Sequence, residues 1–188
     1  MNKQPDITDA TKQRFIDAFC KLYKTKPIEK ITVKEISEIA GHNRVTFYQY
    51  FKDSYDVLET IEKSLLKSIQ NAVEYNIQTP DMFQHFETIF DKIMEDNAEL
   101  VELLLAGANY SNTLERCKNA MLPVLVKSFH LDESDYKMRA ILEFYLSGIV
   151  SLLKYKIDYN EKITTTELGM IIKYILQNGI LPQLTIRR

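Results

Sequence analysis

The chain has 188 residues, of which 45% are apolar and 27% charged, with only five Gly and five Pro. It can therefore bury a core, global disorder is disfavoured, and so is a turn-rich β-sandwich or barrel. Two cysteines, Cys20 and Cys117, are too few for a disulfide scaffold. No apolar run approaches the ~18 residues of a membrane span, and the first residues lack the apolar stretch of a signal peptide, so the expectation is a cytoplasmic protein without membrane contact.

The net charge of −2 hides an asymmetry. Residues 1–52 carry ten Lys/Arg against six Asp/Glu, and the remainder carries fourteen against twenty. A basic end on an acidic body points to an anionic partner at the N-terminus.

The predicted elements are helices throughout. Phe15, Ala18, Phe19, Leu22 and Tyr23 fall at i, i+3, i+4, i+7 and i+8, one face of a helix. Lys26-Pro27 ends it, because proline disfavours helical geometry in the residue before it. Thr32-Val33-Lys34-Glu35 fits a capping box that opens a short helix with Val33, Ile36 and Ala40 on its buried side. Gly41 closes that helix. Asn43 is a good N-cap for a third helix to about Phe51, and Asp53 can cap a fourth that carries Leu58, Ile61, Leu65 and Ile69 to about Tyr75. Thr79-Pro80 suits a cap followed by proline in the first turn. Phe83, Phe86, Phe90 and Ile93 follow at helical spacing, then Leu100, Leu103, Leu104 and Ala108, then Leu114, Cys117, Met121 and Leu125. Pro123 predicts a kink or an early stop in the last of these. Met138, Ile141, Leu142, Tyr145, Ile149 and Leu152 define a long helix from near Asp132. Thr164-Thr165-Thr166-Glu167 is a second capping box, opening a helix with Leu168, Ile171, Ile172, Ile175 and Leu176 that Gly179 closes. The predicted fold class is all-α, with about nine helices.

Two short helices joined at Gly41 have the layout of a helix-turn-helix, whose second helix enters the DNA major groove. The second helix reads Asn43-Arg44-Val45-Thr46-Phe47-Tyr48-Gln49-Tyr50-Phe51-Lys52. Phe47 and Phe51 lie one turn apart and can anchor it. Asn43, Arg44, Thr46, Tyr48, Gln49 and Lys52 remain as a polar set able to bond phosphates and base edges.

The stretch Ile31-Thr32-Val33-Lys34-Glu35-Ile36-Ser37-Glu38-Ile39-Ala40-Gly41, followed by Thr46-Phe47-Tyr48-Gln49-Tyr50-Phe51-Lys52-Asp53, resembles the DNA-binding domain of TetR/AcrR family transcriptional regulators. The match covers about Phe15 to Leu58. A second segment, Glu143 to Leu153, resembles more weakly the dimer-forming region of a branch of that family.

The resemblance implies a helix-turn-helix domain over residues 1–52 and a helical ligand-binding and dimerisation domain over residues 53–188. Thr46 and Tyr48 would contact phosphate or base edges, and Arg44 either. Thr32 would bind phosphate through its hydroxyl and nearby amides, and Tyr50 would touch the backbone or pack. The full candidate DNA-binding set is Thr32, Lys34, Asn43, Arg44, Thr46, Phe47, Tyr48, Gln49, Tyr50, Lys52 and Tyr55. Two positions depart from the family pattern. His42 stands where Val or Ile is common, and Ser54 where Lys is common. Lys52 and Tyr55 are the neighbours that can take the latter contact.

In the predicted body, Phe83, Phe86, Phe90, Leu104, Tyr110, Cys117, Met121 and Tyr145 are candidates to line an effector pocket. The same helical stripe also fits plain core. The family fold implies a homodimer through the last two long helices, with Leu146, Gly148, Ile149, Leu153, Ile172 and Leu176 as seam candidates. His42, His85 and His130 have no ligand spacing among them, so no metal is expected. No nucleophile motif, phosphate loop or acid/base pair is present, so neither an enzyme nor a cofactor is expected. The expected function is a one-component bacterial regulator, in the first place a repressor. It would bind a palindromic operator in double-stranded DNA as a homodimer and be released by a small-molecule effector. The alternative is a DNA-binding co-regulator controlled by a protein partner.

Overall fold

A computed structural model of the chain describes residues 5–77, 86–105, 110–132, 134–159 and 162–180. Among these it is all α-helical. The order is α1 (Pro5–Tyr23), a 3-10 turn (Ile28–Lys30), α2 (Val33–Ala40), α3 (Arg44–Phe47), α4 (Ser54–Ile77), α5 (Phe86–Leu105), α6 (Tyr110–Ser128), α7 (Tyr136–Asp158), α8 (Thr165–Ile175) and a closing π-helical turn (Leu176–Ile180). The all-α class is as the periodicity predicts. Two compact units form, Met1–Ser64 and Leu65–Arg188, divided within α4.

The first unit is built on aromatic packing. Phe15 and Phe19 of α1 are fully buried, as are Ile36 of α2 and Phe47 of α3, with Ile28, Ile31, Phe51, Val57 and Ile61 around them. Each such side chain contributes about 1.5–3 kcal/mol by leaving water. Phe47 and Phe51 lie 5.6 Å apart between ring centroids, so the anchoring pair read from the sequence is core.

In the second unit α5 packs on α8, and α6 on α7. Phe90, Leu168 and Ile172 form one core cluster, with Phe86, Met94, Ile149 and Leu153 half-buried around it. Leu122 and Leu142 form another, edged by Tyr145 and Leu146. The Lys173 ammonium holds the Glu87 carboxylate at 3.0 Å and ties α8 to α5. The α8 cap forms as read: Thr164 Oγ1 accepts from the Glu167 amide at 3.1 Å and the Glu167 carboxylate accepts from the Thr164 amide at 2.8 Å. The Thr164 amide foremost, and the Thr164 hydroxyl, which also donates to the carboxylate at 2.8 Å, hold the Glu167 carboxyl below its usual range.

Several predicted boundaries differ. The long helix α7 begins at Tyr136 and not near Asp132, because Asp135 caps it, its Oδ1 accepting from the Lys137 and Met138 amides. Eight α-helices are described, not nine, because the segments around Phe90 and Leu104 form the single helix α5. Asn97 sits buried in its middle, where its side-chain amide donates to the Ile93 carbonyl at 2.8 Å. The polar stretch therefore continues the helix instead of ending it. Pro123 does not stop α6, which runs on to Ser128. Burial of Met121, Leu122 and Val124 on either side offsets the ~3 kcal/mol a helical proline costs. The predicted third helix to Phe51 is regular only to Phe47, and tighter turn bonds carry it on, with Tyr50 N–H donating to the Phe47 carbonyl at 2.9 Å. Gly179 does not end α8 as a left-handed cap. It lies within the π-helical turn, and a Cβ there would overlap the Tyr145 hydroxyl. The predicted Thr79-Pro80 cap, Phe83 and Ala108 lie outside the described residues, and so does the side chain of Tyr110.

Candidate nucleic-acid interface

The site is formed by α2, the turn after it and α3. Helix α2 starts at a complete capping box. The Glu35 amide donates to Thr32 Oγ1 at 3.3 Å, and the Glu35 carboxylate accepts from the Thr32 amide at 3.1 Å and from its hydroxyl at 2.8 Å. Such a cap is worth about 1 kcal/mol. Lys26 reaches in from the loop before the 3-10 turn and its ammonium meets Glu35 at 2.6 Å. This ion pair, followed by the two Thr32 bonds, lowers the Glu35 pKa to about 2. Thr32 is exposed, as a phosphate contact requires, but its hydroxyl proton is engaged by Glu35. What it has to offer an anion is the exposed N-terminal end of α2.

Gly41 ends α2 at φ +71°, and the Gly41 and His42 amides cap the Glu38 and Ser37 carbonyls. A side chain at that φ is strained, so glycine permits the sharp turn that sets α3 against α2. His42 is half-buried and its ring packs on Phe15 at 5.4 Å. It serves the turn.

Asn43 caps α3. Its Oδ1 accepts from the Thr46 amide at 2.8 Å and from the Thr46 hydroxyl at 3.1 Å. Asn43 and Thr46 thus hold each other. Phe47 is 0% exposed, so of the candidate DNA contacts it is corrected to core: its ring lies within the unit, beneath the outward side of α3, and offers no surface to a partner. Tyr50 is half-buried against Phe15, ring centroids 6.0 Å apart. The outward side presents Arg44, Tyr48 and Gln49, with Lys34 on α2 and Lys52 and Tyr55 beyond. Lys34 has only a loose partner, Glu38 at 3.8 Å. Ser54 is buried and cannot substitute for a lysine, whereas its exposed neighbours Lys52 and Tyr55 can. The junction between α3 and α4 is pinned, because the Asp56 amide donates to Asp53 Oδ1 and the Lys52 amide to Asp56 Oδ2, both at 2.9 Å.

One outward residue was not singled out from the sequence. Val45 is 72% exposed and shares a face with Tyr48 and Gln49 at i, i+3 and i+4. Its signal was an apolar residue outside the Phe47–Phe51 register.

The effector candidates do not form one cavity among the described residues. Phe86 and Phe90 pack on α8, while Tyr145 edges the Leu122–Leu142 cluster. Leu104 and Met121 are buried and Cys117 is half-buried. Open grooves do lie among the described residues of the second unit. One of about 360 Å³ is lined by residues of α6 and α7, including Leu122, Val126, Met138 and Arg139. Another of about 430 Å³ is lined by α5, α7 and α8, including Met94, Val101, Lys156 and Thr166. Among the seam candidates, Ile172 is 1% exposed inside its own chain, so it is core and unavailable to a partner. Ile149, Leu153 and Leu176 are half-buried against the core clusters, and so is Leu146. Gly148 has nothing within 4 Å of where a Cβ would stand. The exposed apolar residues nearby on α7 and α8 are Phe144, Tyr155, Met170, Ile171, Tyr174 and Ile175.

Among the described residues no group of His, Cys, Asp and Glu could hold a metal ion, and no helix is long and apolar enough to cross a membrane.

The fold is similar to that of solved transcriptional regulators, TetR-family proteins among them. No family model and no curated protein matches the chain. The fatty acid degradation regulator FadR from Bacillus halodurans superposes with a TM-score of 0.66 at 15% identity, over 96% of this chain and 99% of that one. A TetR-family transcriptional regulator from Streptomyces coelicolor gives 0.59 at 13% identity, over 94% and 89%. The TetR family repressor AlkX from Dietzia sp. strain DQ12-45-1b, implicated in biodegradation of n-alkanes, gives 0.56 at 15%, over 93% and 95%. At these identities the likeness is one of fold, and it runs through nearly the whole chain.

Proposed function

We propose that the chain is a transcriptional regulator that binds double-stranded DNA through α2 and α3 and acts as a homodimer. The observation that supports this most is the division of α3 into two faces. Phe47 is wholly buried, while Arg44, Tyr48 and Gln49 point outward on a helix capped by Asn43. An exposed row of donors on a helix held rigid from below suits base and phosphate contacts. The fold shared with TetR-family regulators supports the same reading.

Within it, residues 1–52 read DNA and residues 53–188 carry the dimer seam and the effector site. The exposed apolar residues of α7 and α8, with the open Gly148, offer a surface for a second copy. A two-fold dimer places its reading helices on half-sites a helical turn, ~34–36 Å, or a multiple of it apart. The two grooves of the second unit are of the size that small ligands use. An effector that binds the DNA-incompetent arrangement better would release the operator, which makes the regulator a repressor. A second reading, control by a protein partner, uses the same exposed aromatics of α7 and α8 as its docking surface.

Fluorescence anisotropy of the purified protein on the DNA upstream of its own gene tests this, at 50 and 200 mM salt with scrambled duplex as competitor. Tight, competitor-resistant and salt-sensitive binding is expected. Equal affinity for scrambled DNA would remove the sequence-specific reading.

A further inference from the structure

Among the described residues of the first unit, Val45 is the most outward-facing large apolar side chain, at 72% exposure; Ile39, Tyr48 and Tyr55 are less exposed. Neither the core nor helix propensity accounts for it. Most of its surface stays in water, and a β-branched residue is a poor choice for so short a helix. Its position is nonetheless well determined. It follows Arg44 in the first turn of α3, between the Asn43–Thr46 cap and the buried Phe47. Asn43 Oδ1 is engaged by Thr46, so the first turn presents to whatever α3 meets the Arg44 guanidinium, the Val45 isopropyl group and, beside them, the amide nitrogen of the exposed Asn43.

We propose that Val45 is a specificity-determining residue that reads a thymine by apolar contact with its C5-methyl group; this rests on the DNA-binding reading above. In the major groove thymine is the one base that presents a methyl group, and every other edge offers hydrogen-bond donors or acceptors. An aliphatic side chain set among polar ones thus favours T by burying the methyl group and disfavours C, whose amino group it leaves without a partner. Tyr48 and Gln49, one turn further on the same face, fix the helix to the groove so that the contact falls at one position in each half-site.

The test uses the full-length protein and a pool of duplexes with a randomised 20-base-pair centre. Selections are run with wild type, Val45→Ala and Val45→Ser, and circular dichroism confirms that the variants fold. Wild type should enrich a motif with one T per half-site whose preference falls in both variants. Replacing that thymidine by deoxyuridine, which lacks only the methyl group, should then weaken wild-type binding about fourfold and leave Val45→Ala nearly unchanged. If the motif is enriched but survives Val45→Ala, or deoxyuridine has no effect at any T, the assignment of Val45 is overturned while the DNA-binding reading stands. If the wild type enriches nothing and binds all duplexes alike, the DNA reading itself fails, and the role of Val45 with it.

Discussion

The ring of Phe15 meets the ring of Phe47 edge to face, centroids 5.3 Å apart at 85°. That contact clamps α1 to the underside of α3, and it explains how a helix of four residues keeps a fixed orientation. Isolated helices this short do not persist in water. The outward face of α3 is therefore a tertiary product, held by an aromatic pair outside it.

Phe47→Ala should cost about 3–5 kcal/mol of stability, the range for removing a buried aromatic ring. Urea denaturation followed by circular dichroism measures it. DNA binding should fall with it. A loss below 1 kcal/mol would mean that the clamp does not organise this unit.

Asn43→Ala removes the acceptor for the Thr46 amide and hydroxyl. A loss of about 1 kcal/mol is expected, with most of it restored by Asn43→Ser or Asn43→Asp. Thermal melts of the three variants decide this. Equal losses in all three would point to a role other than capping.

Arg44 and Tyr48 should separate in a DNA-binding assay. Both are exposed. Arg44→Ala should relax preference at one base position and cost about 1–3 kcal/mol on the best site. Tyr48→Ala should weaken binding to all sequences alike. Titrating both variants against matched and single-mismatch duplexes distinguishes the two roles, and identical profiles would contradict them.

The Lys26–Glu35 pair makes stability depend on pH in a defined window. Glu35 has its pKa lowered from 4.5 to about 2, so the unfolded chain takes up the proton first on acidification. The stabilisation is fully present above pH 4.5 and is lost as pH falls towards about 2. The urea midpoint of wild type relative to Glu35→Gln should therefore be constant from pH 7 to 5 and converge below that. A constant difference down to pH 2.5 would mean that the carboxylate is not held by this pair.

Gly148→Leu tests the dimer face. Among the described residues nothing lies within 4 Å of the position a Cβ would take, so the monomer can accept the larger side chain. If the α7 surface is the seam, sedimentation velocity should show dissociation to monomers, with far-ultraviolet circular dichroism unchanged. A dimer as tight as wild type would place the seam elsewhere.

Features set by neighbours in the chain were legible without coordinates. Thr32 and Thr164 cap their helices with Glu35 and Glu167, Gly41 makes its left-handed turn, and Phe15 and Phe19 face inward. Each depends on bonds or periodicity within one or two helical turns, so sequence alone determines it. The all-α class follows from the same local rules.

Tertiary structure decided which apolar residues face a neighbour. Val45 and Phe47 are two residues apart on α3, yet one is 72% exposed and the other wholly buried. Ile171 and Ile172 are adjacent on α8, but only Ile172 enters the Phe90 cluster. Asn97 sits buried inside α5, between the Phe90 and Leu104 patterns that read as two helices, because a carbonyl one turn back satisfies its amide inside the core. Periodicity specifies a stripe, but the position of that stripe depends on the shape of the surface packed against it. Burial is a property of that contact, made between segments far apart in the chain.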